Sequence, residues 1–320
     1  CDDTYDPDHP FDDNEQVIPS PVPGPNGIIY ICSHWGNVYN PLVMRELQKQ
    51  VPLVKKFNIK PVKRPTWGKV YAIDPASGNR LWVYDPSADG SAGKKTILGS
   101  PAVGDDGTIY VGTYDHAQRG FLYALNPDGT LKWRLAESDT GHLHGLSGSP
   151  SIGDDGTVYI GSFGMKKKAE LYAVNPDGTL KWRYQLRENR VTAAPGIAPD
   201  GTIYVGAHNW GFAGNPDMSK QGHLYALKDA GQKAGLKWSF AVNYGILAPP
   251  AIDNRGNVFF GTYGDPGISG RAGPYRIFAL NSKGEKLWSQ DLKGRVYSPP
   301  VIDKDGTVYV GTTMTEARIY

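Results

Sequence analysis

Residues 100–133 read SPAVGDDGTIYVGTYDHAQRGFLYALNPDGTLKW. Four short apolar runs lie in this stretch: Pro101–Val103, Thr108–Val111, Phe121–Leu125 and Leu131–Trp133. Each alternates in polarity or is rich in β-branched and aromatic residues, a pattern that predicts strands rather than helices. The intervening GDDG and NPDG carry turn chemistry, in which glycine takes positive φ and Asp or Asn closes the loop. One twisted, four-stranded antiparallel sheet is the expected product.

The same pattern returns along the chain. The second-strand signature recurs from Gly107 (GTIY), Gly156 (GTVY), Gly201 (GTIY), Gly256 (GNVF) and Gly306 (GTVY), at steps of 49, 45, 55 and 50 residues, with a weaker copy from Gly27 (GIIY). The fourth-strand tryptophan recurs as Trp82, Trp133, Trp182, Trp238 and Trp288. Six units are therefore visible, the sixth incomplete. A four-stranded unit cannot bury both of its faces alone, so successive units must stack, and a period near 50 residues predicts an all-β, radially stacked β-propeller. The first strand of each unit supports this. Its proline, at Pro21, Pro101, Pro150, Pro195, Pro250 and Pro300, always lies six residues before the turn glycine. Proline cannot donate to a sheet ladder and is confined to edges, and the innermost strand of a propeller blade is an edge facing the axial channel. The five fourth-strand tryptophans are expected to dock one blade on the next rather than to stack on a ligand.

At 320 residues the repeats account for one propeller domain over 17–320, with 1–16 as a tether. The 40 glycines and 25 prolines belong to turns. A formal net charge of +2 argues against nucleic acid as a partner. No run of 18 apolar residues occurs. Residues 1–16 hold seven acids and two prolines, a flexible composition. Starting at Cys1, this segment resembles the beginning of a mature bacterial lipoprotein, which implies lipid on Cys1, contact with a bilayer and a periplasmic or cell-surface location. Cys32, within IYICS, reads as a small buried hydrophobe. With two cysteines and no CxxC, neither a thiolate zinc site nor a c-type haem is expected. His142 and His144 have chelating spacing but no third ligand nearby in sequence, and no metal is assigned. The DDGT and PDGT turns lack the calcium-loop ligand set. At the other end, Arg318-Ile319-Tyr320 matches the start of a third strand, Arg276-Ile277-Phe278, so at least ~20 further residues, and up to eight blades in all, are expected from the repeat period.

The third strand of the first unit, Ala72-Ile-Asp74-Pro-Ala-Ser77-Gly78-Asn-Arg-Leu-Trp82, matches the A-x-D-x-x-[ST]-G-x-x-x-W pattern of the pyrroloquinoline-quinone (PQQ) type propeller repeat. Later copies are one residue shorter and resemble the PQQ-like repeats of non-enzymatic propellers. PQQ dehydrogenases carry an adjacent-cysteine pair and eight blades. This chain has no such pair, and its inner strands (SPVP, SPAV, SPSI, APGI, PPAI, PPVI) carry no carboxylate. No cofactor and no catalytic residue is therefore assigned.

Blade connectivity puts the first-to-second and third-to-fourth turns on one face, where all are short. The long insertions, 36–67, 114–120, 137–146, 208–222 and 263–275, fall on the other, and binding belongs on such loops. There, equivalent positions just after the second strand hold His34, Tyr114, Phe163, His208 and Tyr263, with Trp35 and Trp210 beside them. The insert 36–67 adds a basic run that includes Lys55, Lys56, Lys63 and Arg64. These residues are the expected partner-binding set, with packing of the loops on the scaffold as the alternative. The nearest functional analogue by repeat and anchor is the propeller lipoprotein of the outer-membrane barrel assembly machine. It implies a non-catalytic scaffold that docks protein partners in an envelope or surface complex. A propeller binding surface carbohydrate through exposed Trp and Tyr is the alternative.

Overall fold

The computed structural model describes residues 15–16, 20–35, 67–90, 93–115, 117–136, 143–164, 168–209, 222–263, 275–312 and 318–319. Strand β1 (Glu15–Gln16) comes first. The first unit is β2 (Val22–Pro23), β3 (Ile29–Cys32), β5 (Val70–Ile73) and β6 (Arg80–Tyr84), hydrogen-bonded in that order. The short β4 (His34–Trp35) leaves β3 to pair antiparallel with β1. Glu15 and Gln16, assigned above to the tether, are thus held by sheet hydrogen bonds to Trp35 and His34, a pairing that composition could not reveal. Cys1 and the rest of the tether lie outside the described residues.

Three complete units follow with the same inner-to-outer order. They are β7 to β10 (Ala102–Val103, Ile109–Tyr114, Gly120–Leu125, Leu131–Ala136), β11 to β14 (Ser151–Ile152, Val158–Gly161, Glu170–Val174, Leu180–Gln185) and β15 to β18 (Gly196–Ile197, Thr202–His208, Gly222–Asp229, Ala234–Val242). A fifth is β19 to β22 (Ala251–Ile252, Val258–Gly261, Tyr275–Leu280, Lys286–Leu292). The sixth appears as β23 (Val301–Ile302) paired with β24 (Val308–Tyr309), and β25 (Gly311–Thr312) paired with β26 (Arg318–Ile319). All pairings are antiparallel. No helix among the described residues is long and apolar enough to cross a membrane.

The cores explain why the second and third strands read as unbroken apolar runs. In β8, Ile109 and Val111 pack with Tyr30, Val70 and Ala72 of the first unit, while Tyr110 between them packs with Val158, Ile160 and Tyr172 of the third. In β16, Ile203, Val205 and Ala207 face the third unit and Tyr204 faces the fifth. The twofold side-chain period thus feeds alternate residues into two different cores. Where a link crosses a strand end, a side chain is excluded: a Cβ on Gly161 would collide with Val191 of the following link.

The turns also explain themselves. Asp106 accepts from the Thr108 backbone N–H at 2.9 Å and from its hydroxyl at 2.7 Å, and Lys132 of β10 donates to both side chains, at 3.1 and 2.8 Å. The Thr108 amide and hydroxyl, aided by Lys132, hold the Asp106 carboxyl down at about 2. Lys181 with Asp155 and Lys237 with Asp200 repeat the arrangement. Asp106, Asp155 and Asp200 are therefore already engaged.

The fourth-strand tryptophans dock on the next unit's third-to-fourth turn. The indole N–H of Trp82 donates to Pro127 O, that of Trp133 to Pro176 O and that of Trp238 to Ser282 O, each at 2.9 Å. Each ring covers the turn glycine. A Cβ on Gly129, whose φ is +85°, would sit 2.6 Å from the Trp82 ring, so both conformation and contact require glycine there. Trp182 is buried. Trp288 departs from the expectation. It is 42% exposed, with Leu287 beside it also exposed, because no turn among the described residues covers it.

Candidate interaction face

The links from one unit's fourth strand to the next unit's first strand run along the loop-bearing face, and the residues just after each second strand bridge to them. Thr96 bridges Tyr114, Arg190 bridges both Phe163 and His208, and Gly245 bridges Tyr263. These bridges turn separate loops into a continuous rim. Along it, Tyr114 meets Phe163 edge-on at 4.8 Å, and the Arg190 guanidinium lies 5.1 Å from the Phe163 ring centre.

The rim corrects part of the sequence reading. Phe163 is buried and Tyr114 half-buried against it, so both fasten links to the scaffold. His208 was expected in an exposed binding set but is only 4% exposed. Burial, with the positive charge of Arg190 adding to it, pushes its imidazole down to about 3. A neutral histidine packed in the rim offers a partner no direct contact. Tyr263 remains accessible at the edge. The backbone of His34 and Trp35 lies in β4, while Trp210, Lys55, Lys56, Lys63, Arg64 and His142 lie outside the described residues.

A tyrosine and arginine cluster beside Tyr263 was not singled out from the sequence. Tyr297 is 48% exposed and its ring lies 5.4 Å from that of Tyr263. Arg295 lies 4.9 Å over Tyr263 and donates to the hydroxyls of Tyr263 and Tyr297, each at 3.4 Å. A signal did exist. Arg190 and Arg295 both stand five residues before an inner-strand proline, in RVTAAP and RVYSPP, and both place a guanidinium over the aromatic that follows a second strand.

Beneath the links, carboxylates are buried with partners. Asp89 accepts from the Tyr123 hydroxyl at 2.6 Å and pairs with Arg134 at 2.8 Å. Glu170 accepts from Tyr172 at 2.6 Å and pairs with Arg183 at 3.4 Å. Glu188 accepts from Tyr225 at 2.7 Å and meets the His223 ring. Burial first, then the acid, pushes all three tyrosines well above the ordinary phenol range. Each acid is thus committed to fixing a link rather than free for proton transfer. Lys95, wholly buried, donates to Gly93 O at 3.0 Å and sits 4.3 Å over the Phe121 ring. Cys32 is buried as expected, and burial pushes its thiol up. Among the described residues, no group of three or more His, Cys, Asp or Glu is arranged to hold a metal ion.

Comparison with known proteins agrees with this architecture. A family model described as outer membrane protein assembly factor BamB matches residues 67–142 and 118–243, together more than half of the chain. The quinohemoprotein alcohol dehydrogenase of Comamonas testosteroni is 39% identical over 64 residues, which are 19% of this chain and only 8% of that much longer enzyme. Among solved structures, a protein of unknown function from Bacteroides caccae superimposes with a TM-score of 0.51 at 12% identity, over 92% of this chain and 90% of that one. The Dos1 propeller does so with a TM-score of 0.54 at 13% identity, over 79% of this chain and 62% of that one. At such identities the structural likeness is one of fold. The family match rests on the repeats themselves, and by it this chain, a PQQ-like repeat β-propeller, belongs to the family of the outer membrane protein assembly factor BamB.

Proposed function

We propose that this propeller is a non-catalytic docking subunit of an envelope or surface protein complex, working through its loop-bearing face. The observation that carries the reading is the asymmetry between its two faces. Every described turn on one face is a short, internally satisfied loop, whereas the other collects the long insertions and the accessible Tyr263, Arg295 and Tyr297. Tyrosine and arginine are the residue types that carry binding energy at protein interfaces. Family membership supports a role in assembly, and the inner strands offer no carboxylate for chemistry in the channel. The contact set consists of Tyr263 together with His34, Trp35, Trp210 and the basic Lys55, Lys56, Lys63 and Arg64.

The test is native co-purification of the tagged protein from its own cells. A stoichiometric envelope protein should be recovered, and Trp35→Ala, Trp210→Ala or Tyr263→Ala should deplete it without lowering thermal stability. Lys304→Ala, on the short-turn face, should leave it in place. Equal recovery with all variants would overturn the assignment. Attachment to the membrane through lipid on Cys1 is part of the same reading, supported by the acidic, proline-containing segment after it. Mass spectrometry of the native N-terminal peptide should show diacylglyceryl modification, with a second chain for stable attachment. A free thiol on Cys1 of protein isolated from its own cells would rule the anchor out.

A further inference from the structure

The inner strands begin on the loop-bearing face, and the residues leading into them enclose a cavity of about 880 Å³ at the channel mouth. Its lining mixes two kinds of residue. One set is hydroxyl-bearing (Ser20, Ser100, Ser149, Thr192, Ser298 and Thr312) and the other is apolar, with Leu247 and the Tyr297 ring among prolines and alanines. No charged side chain lines it.

Two of the serine hydroxyls are held in place by backbone donors. The Ser20 backbone N–H donates to Ser100 Oγ at 2.9 Å, and the Ser100 N–H donates to Ser149 Oγ at 2.8 Å. Each of these two hydroxyls has one lone pair occupied and keeps its own hydrogen and a second lone pair. Tyr297 is fixed edge-on to Tyr263 and its hydroxyl accepts from Arg295, leaving the ring as a positioned platform.

We propose that the channel mouth is a binding site for a neutral saccharide, one sugar ring packing on Tyr297 and its hydroxyls meeting those of Ser20, Ser100 and Ser149. An ionic ligand would lose hydration with no opposite charge to meet it, and an aliphatic one would strand the serine and threonine hydroxyls. A sugar satisfies both kinds of lining, since its C–H face is apolar and its hydroxyls both donate and accept. The volume is in the range of small-molecule sites. This site is separate from the protein-docking role and stands or falls independently of it.

The folded 320-residue chain is titrated with glucose, N-acetylglucosamine and maltose, by calorimetry and saturation-transfer NMR. At least one sugar should bind. Tyr297→Ala should weaken it about tenfold, the size of one aromatic contact. Tyr297→Phe should preserve binding, and Trp288→Ala, on the outer edge, should not alter it. Tyr297 is half-exposed, so its variants should melt like the parent protein. Three results would each overturn the proposal: no binding by any of the sugars, unchanged affinity in Tyr297→Ala, or preference for glucose 6-phosphate over glucose.

Discussion

His208 shows how one residue's setting overrides its type. A histidine at a loop start reads as a contact residue, but here Arg190, bridging it through the backbone, and the Gly245 link packed on its ring close it off from water. With a folded pKa of about 3 against about 6.5 when unfolded, the unfolded chain binds the proton more readily. The stability this provides is complete above pH 6.5 and is lost as pH falls from there towards 3. At its steepest the loss should approach ~1.4 kcal/mol per pH unit from this residue. Urea melts from pH 7 to pH 4 should show a shallower decline in His208→Gln than in the parent protein. An identical slope would mean that the imidazole is not shielded in solution.

At the level of elements, the fourth strand is an adaptor. Its lysine ties the unit's own first turn, and its tryptophan docks on the next unit's last turn. The energetic value of the tryptophan therefore depends on the neighbour. Trp182→Ala should cost about 3–5 kcal/mol, since that side chain is buried between units. Trp288→Ala should cost no more than about 1 kcal/mol, because the indole is already 42% exposed. Chemical denaturation of the two variants measures the difference, and comparable losses would show that Trp288 is covered in solution. Gly129→Ala should also destabilise, by forcing a side chain into both a positive φ and the Trp82 ring.

In the molecule as a whole, each core is shared by two sheets, so no unit is self-sufficient. Leu122 of the second unit and Ile160 of the third lie in one cluster. Leu122→Ala should therefore cost about 2–5 kcal/mol and lower hydrogen-exchange protection in both of those units, while the fifth unit retains its protection. Protection lost evenly over all units would indicate a single cooperative block instead.

The strands, their turns and their inner-to-outer order were legible from residues 100–133 and their copies. Twofold alternation, turn glycines and edge prolines are local consequences of backbone geometry, and repetition at one period leaves stacking as the way to bury both faces. The docking of Trp82, Trp133 and Trp238 was legible for the same reason. Exposure on the loop-bearing face was not, because it depends on which link crosses over a residue that is distant in sequence. His208 and Phe163 share a position with Tyr263, yet the first two are buried beneath the Arg190 link while Tyr263 stays partly exposed. Likewise, the serines ahead of the inner prolines are unremarkable one at a time. Only the radial arrangement of the sheets brings Ser20, Ser100, Ser149 and Tyr297 to one cavity, because that neighbourhood is made by stacking rather than by the chain.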